Sequence, residues 1–175
     1  IRRSRGYAPL PVLLPVSVAP TLAVGGELKN TFCLATGRHA WISQHLGDME
    51  NLETLEAFER SVAAFTRMFA VTPSVLAADG HPAYLTRRWA MRRARTERLV
   101  EVQHHHAHVA AVMAEAGLDG RSKVLGFAFD GSGFGLAEDG TPQIWGGEVL
   151  EADYDGFERV AHLRPLPLPG GDDGV

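Results

Sequence analysis

Apolar residues recur at Leu52, Leu55, Phe58, Val62, Phe65 and Phe69, three or four positions apart. That spacing predicts a helix with one continuous apolar stripe, opening after residues 47–51. Glu53, Glu56, Glu59 and Arg60 occupy the other face, and acidic residues in a first turn suit the helix dipole. Upstream, residues 21–24 and 31–36 read as strands joined by a turn at 25–30, and a third strand, 39–43, follows Gly37. Downstream come a short buried-type strand at 74–78, a helix from about 82 to 94, a strand at 99–102 and a helix at 109–116 closed by Gly117. Three strands, helix, strand, helix, strand, helix predicts an α/β unit with a mixed sheet, a meander first and crossovers after it. Residues 118–121 mark a boundary. Beyond it, a strand at 123–129, the Gly-rich run 130–135 and a hairpin into 144–150 open a second unit much as the first opens. The pattern divides the chain into a first α/β half, 21–118, and the start of a second, 119–175. With opening hairpins alone in that second part, an uncovered apolar sheet face is expected there.

The first 20 residues follow neither pattern. Arg2, Arg3 and Arg5 precede an apolar run from Leu10 to Val16, which superficially resembles a secretory leader. Pro9, Pro11, Pro15 and Pro20 interrupt it, and prolines at that density do not build an apolar helix. Residues 1–20 therefore read as an extended linker arriving from a preceding domain, and the chain as a piece of a longer protein. Of 175 residues, 45% are hydrophobic and 22% charged, which places the chain among soluble globular proteins and gives it no membrane span. A net charge of −4 gives no global electrostatic reason to bind nucleic acid or an anionic membrane. Arg87, Arg88, Arg92, Arg93, Arg95 and Arg98 are accordingly read as a solvated helix face. Cys33 is the single cysteine, set in an apolar run, so it reads as a small core residue in a chain suited to a reducing cytoplasm.

The chemistry is concentrated in V-Q-H-H-H-A-H (102–108), where four histidines fall within five residues. On a helix each residue turns by about 100°, so His104 and His108 lie about 40° apart on one face. That is how one helix offers two imidazoles to one metal ion. His105 and His106 point elsewhere, as donors behind the ligands or as substrate contacts. A zinc hydrolase would carry a Glu directly after the first His, and His105 stands there instead. The ion is therefore expected to position or polarise a bound ligand rather than to hydrolyse peptide bonds, and zinc and iron suit the donors equally.

Two Gly-rich segments carry the remaining candidates. Gly25-Gly26 can serve a turn or let backbone N–H groups approach a phosphate, with Lys29 and Asn30 as nucleotide contacts; by spacing alone the turn is favoured. In D-G-S-G-F-G (130–135), Asp130 can ligate a metal or position phosphate-bound magnesium. Gly131, Ser132 and Gly133 can present amides to phosphate oxygens. Asp79 and His81, at a strand end, are explained by turn chemistry.

Two successive halves, each opening on a Gly-rich hairpin, resemble the duplicated fold of actin, sugar kinases and heat-shock ATPases, with the first half complete and the second truncated. The particular strings narrow this. V-G-G-E-L-K-N-T-F-C-L (24–34), S-Q-H-L-G-D (43–48), the His cluster, D-G-S-G-F-G, I-W-G-G-E (144–148) and L-P-L-P-G-G-D (166–172) together resemble the hydrogenase-maturation carbamoyltransferase family HypF. R-R-S-R-G-Y-A-P (2–9) is similar to that family's exit from its YrdC-like domain.

The resemblance implies an ATP-dependent carbamoyltransferase. Carbamoyl adenylate, made from carbamoyl phosphate and ATP in other domains, would deliver its carbamoyl group to the C-terminal cysteine of HypE. It also implies that His104 and His108 are the family's metal pair and Asp130 its carboxylate, with a further ligand and much of the nucleotide site outside this chain and the catalytic residues left unassigned, so that the chain alone should be inactive. Two alternatives remain open at this stage. One is a tRNA threonylcarbamoyladenosine-type transferase, which would need tRNA as partner; the other is a non-catalytic metal-binding module, which would bind metal without nucleotide.

Overall fold

The computed structural model describes residues 10–137 and 139–164, with the backbone alone at Ser132. The strings at 2–9 and 166–172 lie outside the described residues. The chain divides into two compact units, residues 1–102 and 103–175.

The first unit is a four-stranded mixed sheet in the order β2-β1-β3-β4. β1 (Val12–Ala23) and β2 (Cys33–Ile42) are antiparallel, while β3 (Val75–Asp79) and β4 (Arg98–Val102) add parallel to β1. Helices α1 (Leu52–Met68) and α2 (Leu85–Arg93) make the two crossovers. Two expectations are corrected here. Residues 12–20 are not linker but the greater part of β1, because prolines are compatible with a strand that has only one neighbour along that stretch. β3 reaches β1 only at residues 21–23, and the register against β2 shifts on either side of Val18. The expected second and third strands are one strand, β2. Gly37, at φ +56°, faces Val18 between those shifts, so it makes an irregularity within the ladder where a turn was expected.

The core of this unit follows from the α1 stripe. Phe58 and Val62 are buried against Leu22, Leu34, Leu76 and Ala90. Phe58 meets Phe32 and Trp89 edge to face, with centroids 5.7 and 5.0 Å apart. Asn51 caps α1 by accepting the Glu53 N–H at 2.8 Å. Leu52, the first residue of the stripe, stays 69% exposed, while Met49 ahead of the cap is fully buried.

The second unit packs α3 (His104–Glu115) on the antiparallel sheet β5-β6-β7, formed by Val124–Leu136, Pro142–Ala152 and Phe157–His162. The sequence pattern places α3 in the first half. Its buried face, Val109 and Met113, instead packs with Trp145, Leu150 and Ala152. One sheet face is thus covered. On the other, Leu125, Phe127 and Phe129 alternate along β5 and remain exposed. No helix among the described residues is long and apolar enough to cross a membrane.

Phe58→Ala should lower unfolding stability by about 3–5 kcal/mol, since it empties a packed aromatic site. Leu52→Ala, on the same sequence stripe, should change it by less than about 0.5 kcal/mol. Denaturant melts of the two variants check both values.

Candidate metal centre

β4 ends at Val102, and Gln103 caps the next helix in place of the usual short polar residue. Its side-chain oxygen accepts the His106 N–H at 2.9 Å. This cap starts α3 at His104 and so sets the direction of every histidine in the cluster. His105, Val109 and Met113, four residues apart, form the buried face. His104 and His108 lie beside that face, partly open.

Asp130 meets them from β5. Its side chain is in phase with Gly126 and Ala128, the residues of β5 on the helix side. The pairing then slips: four residue steps from Phe129 to Gly133 oppose two from Gly147 to Trp145. The run 130–135, expected as a turn, is thus a bulged part of one continuous strand, and the bulge carries Asp130, Gly131 and Ser132. Asp130 Oδ2 lies 3.1 Å from His104 Nε2 and 3.6 Å from His108 Nε2, and the two nitrogens are 3.1 Å apart. Bonds of about 2.0–2.1 Å to a tetrahedral ion would set such atoms about 3.3–3.4 Å apart. Asp130 Oδ2 is buried, and the polar atoms it meets are the imidazole nitrogens of His104 and His108, so a cation shared by the three would satisfy its charge. The donors present therefore fit a first-row divalent ion. The His108 side chain is 56% exposed, which leaves that side of the cluster open to a ligand.

The other histidines separate. His106 Nε2 is 2.7 Å from the Asp153 carbonyl oxygen and its ring lies against Phe157, so it is tied to the β6–β7 connection rather than to the cluster. His105 is fully buried, and burial pushes its imidazolium pKa down against the pull of Asp130.

Gly133 and Gly135 have packing roles. A Cβ on Gly133 would lie 2.5 Å from His105 Cε1, and one on Gly135 would lie 2.2 Å from the Trp145 indole. Gly131 meets nothing within 4 Å and is open, unlike Gly133 beside it in the same run.

Sequence reasoning misses a clamp between β6 and β7. Arg159 lies 4.3 Å over the Trp145 ring and holds Glu148 through bonds of 2.6 and 3.1 Å. Glu148 also accepts the Gly146 N–H at 2.9 Å. Burial alone would raise the Glu148 pKa, but the Arg159 and Gly146 bonds together hold it below its ordinary value. The only signal in the sequence is the acid of I-W-G-G-E, whose partner lies 11 residues away.

In the first unit, Lys29 is exposed, and its backbone N–H is held by Asp48 at 2.7 Å. Asn30 is 1% exposed and spends its amide on the Val24 and Gly26 carbonyls, so its side chain braces the loop from inside. Gly25 has φ +73°, and a Cβ there would collide with the Thr31 carbonyl. Glu27, also missed, accepts the Leu85 N–H at 2.7 Å and supplies the side-chain cap that Tyr84 does not give α2. Asp79 accepts the His81 N–H, the turn role expected of it.

Glu148→Gln should cost about 1.5–3 kcal/mol at neutral pH, the range for hydrogen bonds to charged groups. Because the folded carboxyl titrates below its unfolded value, its contribution is complete above the ordinary carboxylate range and is lost as pH falls through the depressed pKa. The gap between wild-type and variant stability should therefore close in acid, as read from urea melts across pH.

Comparison with known proteins accounts for nearly the whole chain. Residues 17–115 match the HypF Kae1-like domain, and residues 126–175 match the second subdomain of the carbamoyltransferase Kae1-like domain. The chain is 47% identical over 174 residues to "Carbamoyltransferase HypF2" of Cupriavidus necator, covering 98% of this chain and 21% of that protein. Identity to "Carbamoyltransferase HypF" of Synechocystis is 42%, over 100% of this chain and 22% of the relative. A solved full-length HypF in phosphate- and nucleotide-bound form superposes with a TM-score of 0.85 at 47% identity, covering 97% of this chain and 22% of that one. HypF of T. kodakarensis gives 0.83 at 43% identity, over 98% and 22%. The chain thus spans about a fifth of the length of these relatives, and across that span it has the Kae1-like form of the actin-type fold and belongs to the HypF family.

Proposed function

We propose that this chain is the metal-holding part of an ATP-dependent carbamoyltransferase, which moves a carbamoyl group from carbamoyl adenylate to the C-terminal cysteine of a HypE-like acceptor in hydrogenase maturation. The observation that carries the reading is the convergence of His104, His108 and Asp130 on one point, in a chain whose relatives are named carbamoyltransferases. Those three side chains would hold a zinc or iron ion, and such an ion supplies a Lewis acid to a bound carbonyl or phosphate oxygen.

The chain's own residues fit the rest of the chemistry. The exposed edge of His108 leaves the approach to the cluster open. Cys33 is the one thiol of this chain, and burial pushes its pKa up to about 11, so it is unsuited to act as the nucleophile. The thiolate is accordingly the acceptor's. It attacks the carbamoyl carbon, a C–S bond forms, the anhydride C–O bond breaks, and AMP leaves with the electron pair. Carbamoyl phosphate and ATP are the small-molecule substrates, and making the adenylate from them belongs to parts of the longer protein outside this chain. Lys29 is exposed in the first unit and Gly131 is open in the second, and each by itself is free to meet a phosphate, where magnesium would accompany it. The net charge of −4 argues against a tRNA substrate.

Two measurements test this reading. Metal analysis of the purified chain should find about one first-row ion per chain, held through imidazole and carboxylate, and His104→Ala with His108→Ala should remove it. Unchanged stoichiometry in the double variant overturns the metal assignment. The full-length enzyme, given carbamoyl phosphate, ATP and the acceptor, should add one carbamoyl mass to the acceptor, and the double variant should add none. This chain alone should also add none, and a carbamoylated acceptor from it would place the adenylate-forming site inside these 175 residues.

A further inference from the structure

We propose that Gln103 and His105 are positioning residues for Asp130: Gln103 holds the proton of His105 on Nε2, and that N–H steers the carboxylate toward His104 and His108. The inference rests on the metal reading above and adds to it how the carboxylate is aimed.

The argument begins with the orientation of the Gln103 amide. Its oxygen is committed to the His106 N–H at the helix cap, so its NH2 end must face the other way. There it lies 3.1 Å from the Phe134 carbonyl oxygen, an acceptor, and 2.9 Å from His105 Nδ1. An NH2 group only donates, so Nδ1 must accept, and in a neutral ring the proton sits on Nε2. The cap bond that starts α3 therefore also selects the tautomer of the second histidine.

The proton so placed has one direction to go. His105 Nε2 is buried and has no hydrogen-bond partner, and 3.8 Å away lies the buried Asp130 Oδ2, which also lies 3.1 Å from His104 Nε2. A buried donor, costly while unpaired, faces a buried acceptor with a second lone pair to offer, across slightly more than a hydrogen bond. A small rotation of the carboxylate brings them within reach. The ring itself cannot turn away to find another partner. Gly133 leaves no room for a Cβ between β5 and His105 Cε1, and the Trp145 ring stands 5.7 Å off, under the Arg159 guanidinium. His105 is outside the group of atoms that can share one ion, which consists of His104, His108 and Asp130. Its role is to hold a ligand rather than to be one, as a metal-binding carboxylate is commonly held by a donor behind it.

The experiment uses zinc alone as the probe, titrated into the metal-stripped 175-residue chain against a chromophoric chelator. His105→Phe, which keeps a ring but has no donor, should weaken zinc binding by about 10–100-fold. His105→Gln, which restores an N–H, should recover most of that loss. Nitrogen-15 NMR of the histidine rings in the metal-stripped wild type should show His105 protonated on Nε2, and Gln103→Glu, which replaces the donor with an acceptor, should move the proton to Nδ1. Wild-type zinc affinity in His105→Phe, or an Nδ1 proton in the wild type, overturns the inference while leaving the metal reading intact. Failure of the wild type to bind zinc overturns both. If His105→Phe does not fold, the wild-type tautomer still decides the question.

Discussion

How closely α3 can lie on β5 governs the chemistry of the second unit. A Cβ on Gly126 would come within 2.4 Å of Val109, and one on Gly133 within 2.5 Å of His105. At both places the strand has given up its side chain so that the helix can come down onto it. The consequence reaches across one helical turn. With Val109 seated, His105 is sealed in, and His104 and His108 are brought to the carboxylate that β5 presents. The bulge after Phe129 then takes the strand out of register from Asp130 to Ser132. Helix spacing, strand alternation and missing side chains are three separate local facts, and the cluster exists only where they coincide.

Much of this is legible in the sequence. The His104/His108 spacing depends only on helical pitch, and Asp130 stands out as an acid at the end of an apolar strand followed by glycines. The α1 stripe is equally plain, because a continuous run of large apolar side chains at helical spacing has few other solutions. What is hidden is of a different kind. A glycine that permits close approach and a glycine that faces a phosphate are the same letter, so the packing of Gly133 against His105 and of Gly135 against Trp145 cannot be read from the string. Gln103 is not among the short polar residues preferred at caps, and Glu148 is separated from Arg159 by a turn no local rule predicts. Residues 12–20 are obscured by their prolines, whose cost depends on whether a neighbour strand asks for the missing N–H, and that is a property of the sheet rather than of the segment.

The two Gly-rich segments, alike as strings, are put to opposite uses. In the first unit Gly25 turns the chain sharply, and Asn30 fills the inside of the resulting loop with its own amide. In the second the glycines lie within a strand, where Gly133 yields space to His105 of α3 and Gly135 to Trp145 of β6. An apparent repeat in sequence thus conceals two solutions, one based on backbone torsion and the other on van der Waals volume.

Glu27 gives the first of these loops an unexpected mechanical character. Its carboxylate reaches out of the β1–β2 connection and accepts the N–H of Leu85, at the start of a helix 58 residues further along the chain. The loop and the leading end of α2 are in effect bolted together. Any molecule that reshapes the loop must strip that helix end of its cap, so a flexible flap is the wrong image for this segment. It is better pictured as a bracket, and whatever docks on it meets a loop already tied to the end of α2.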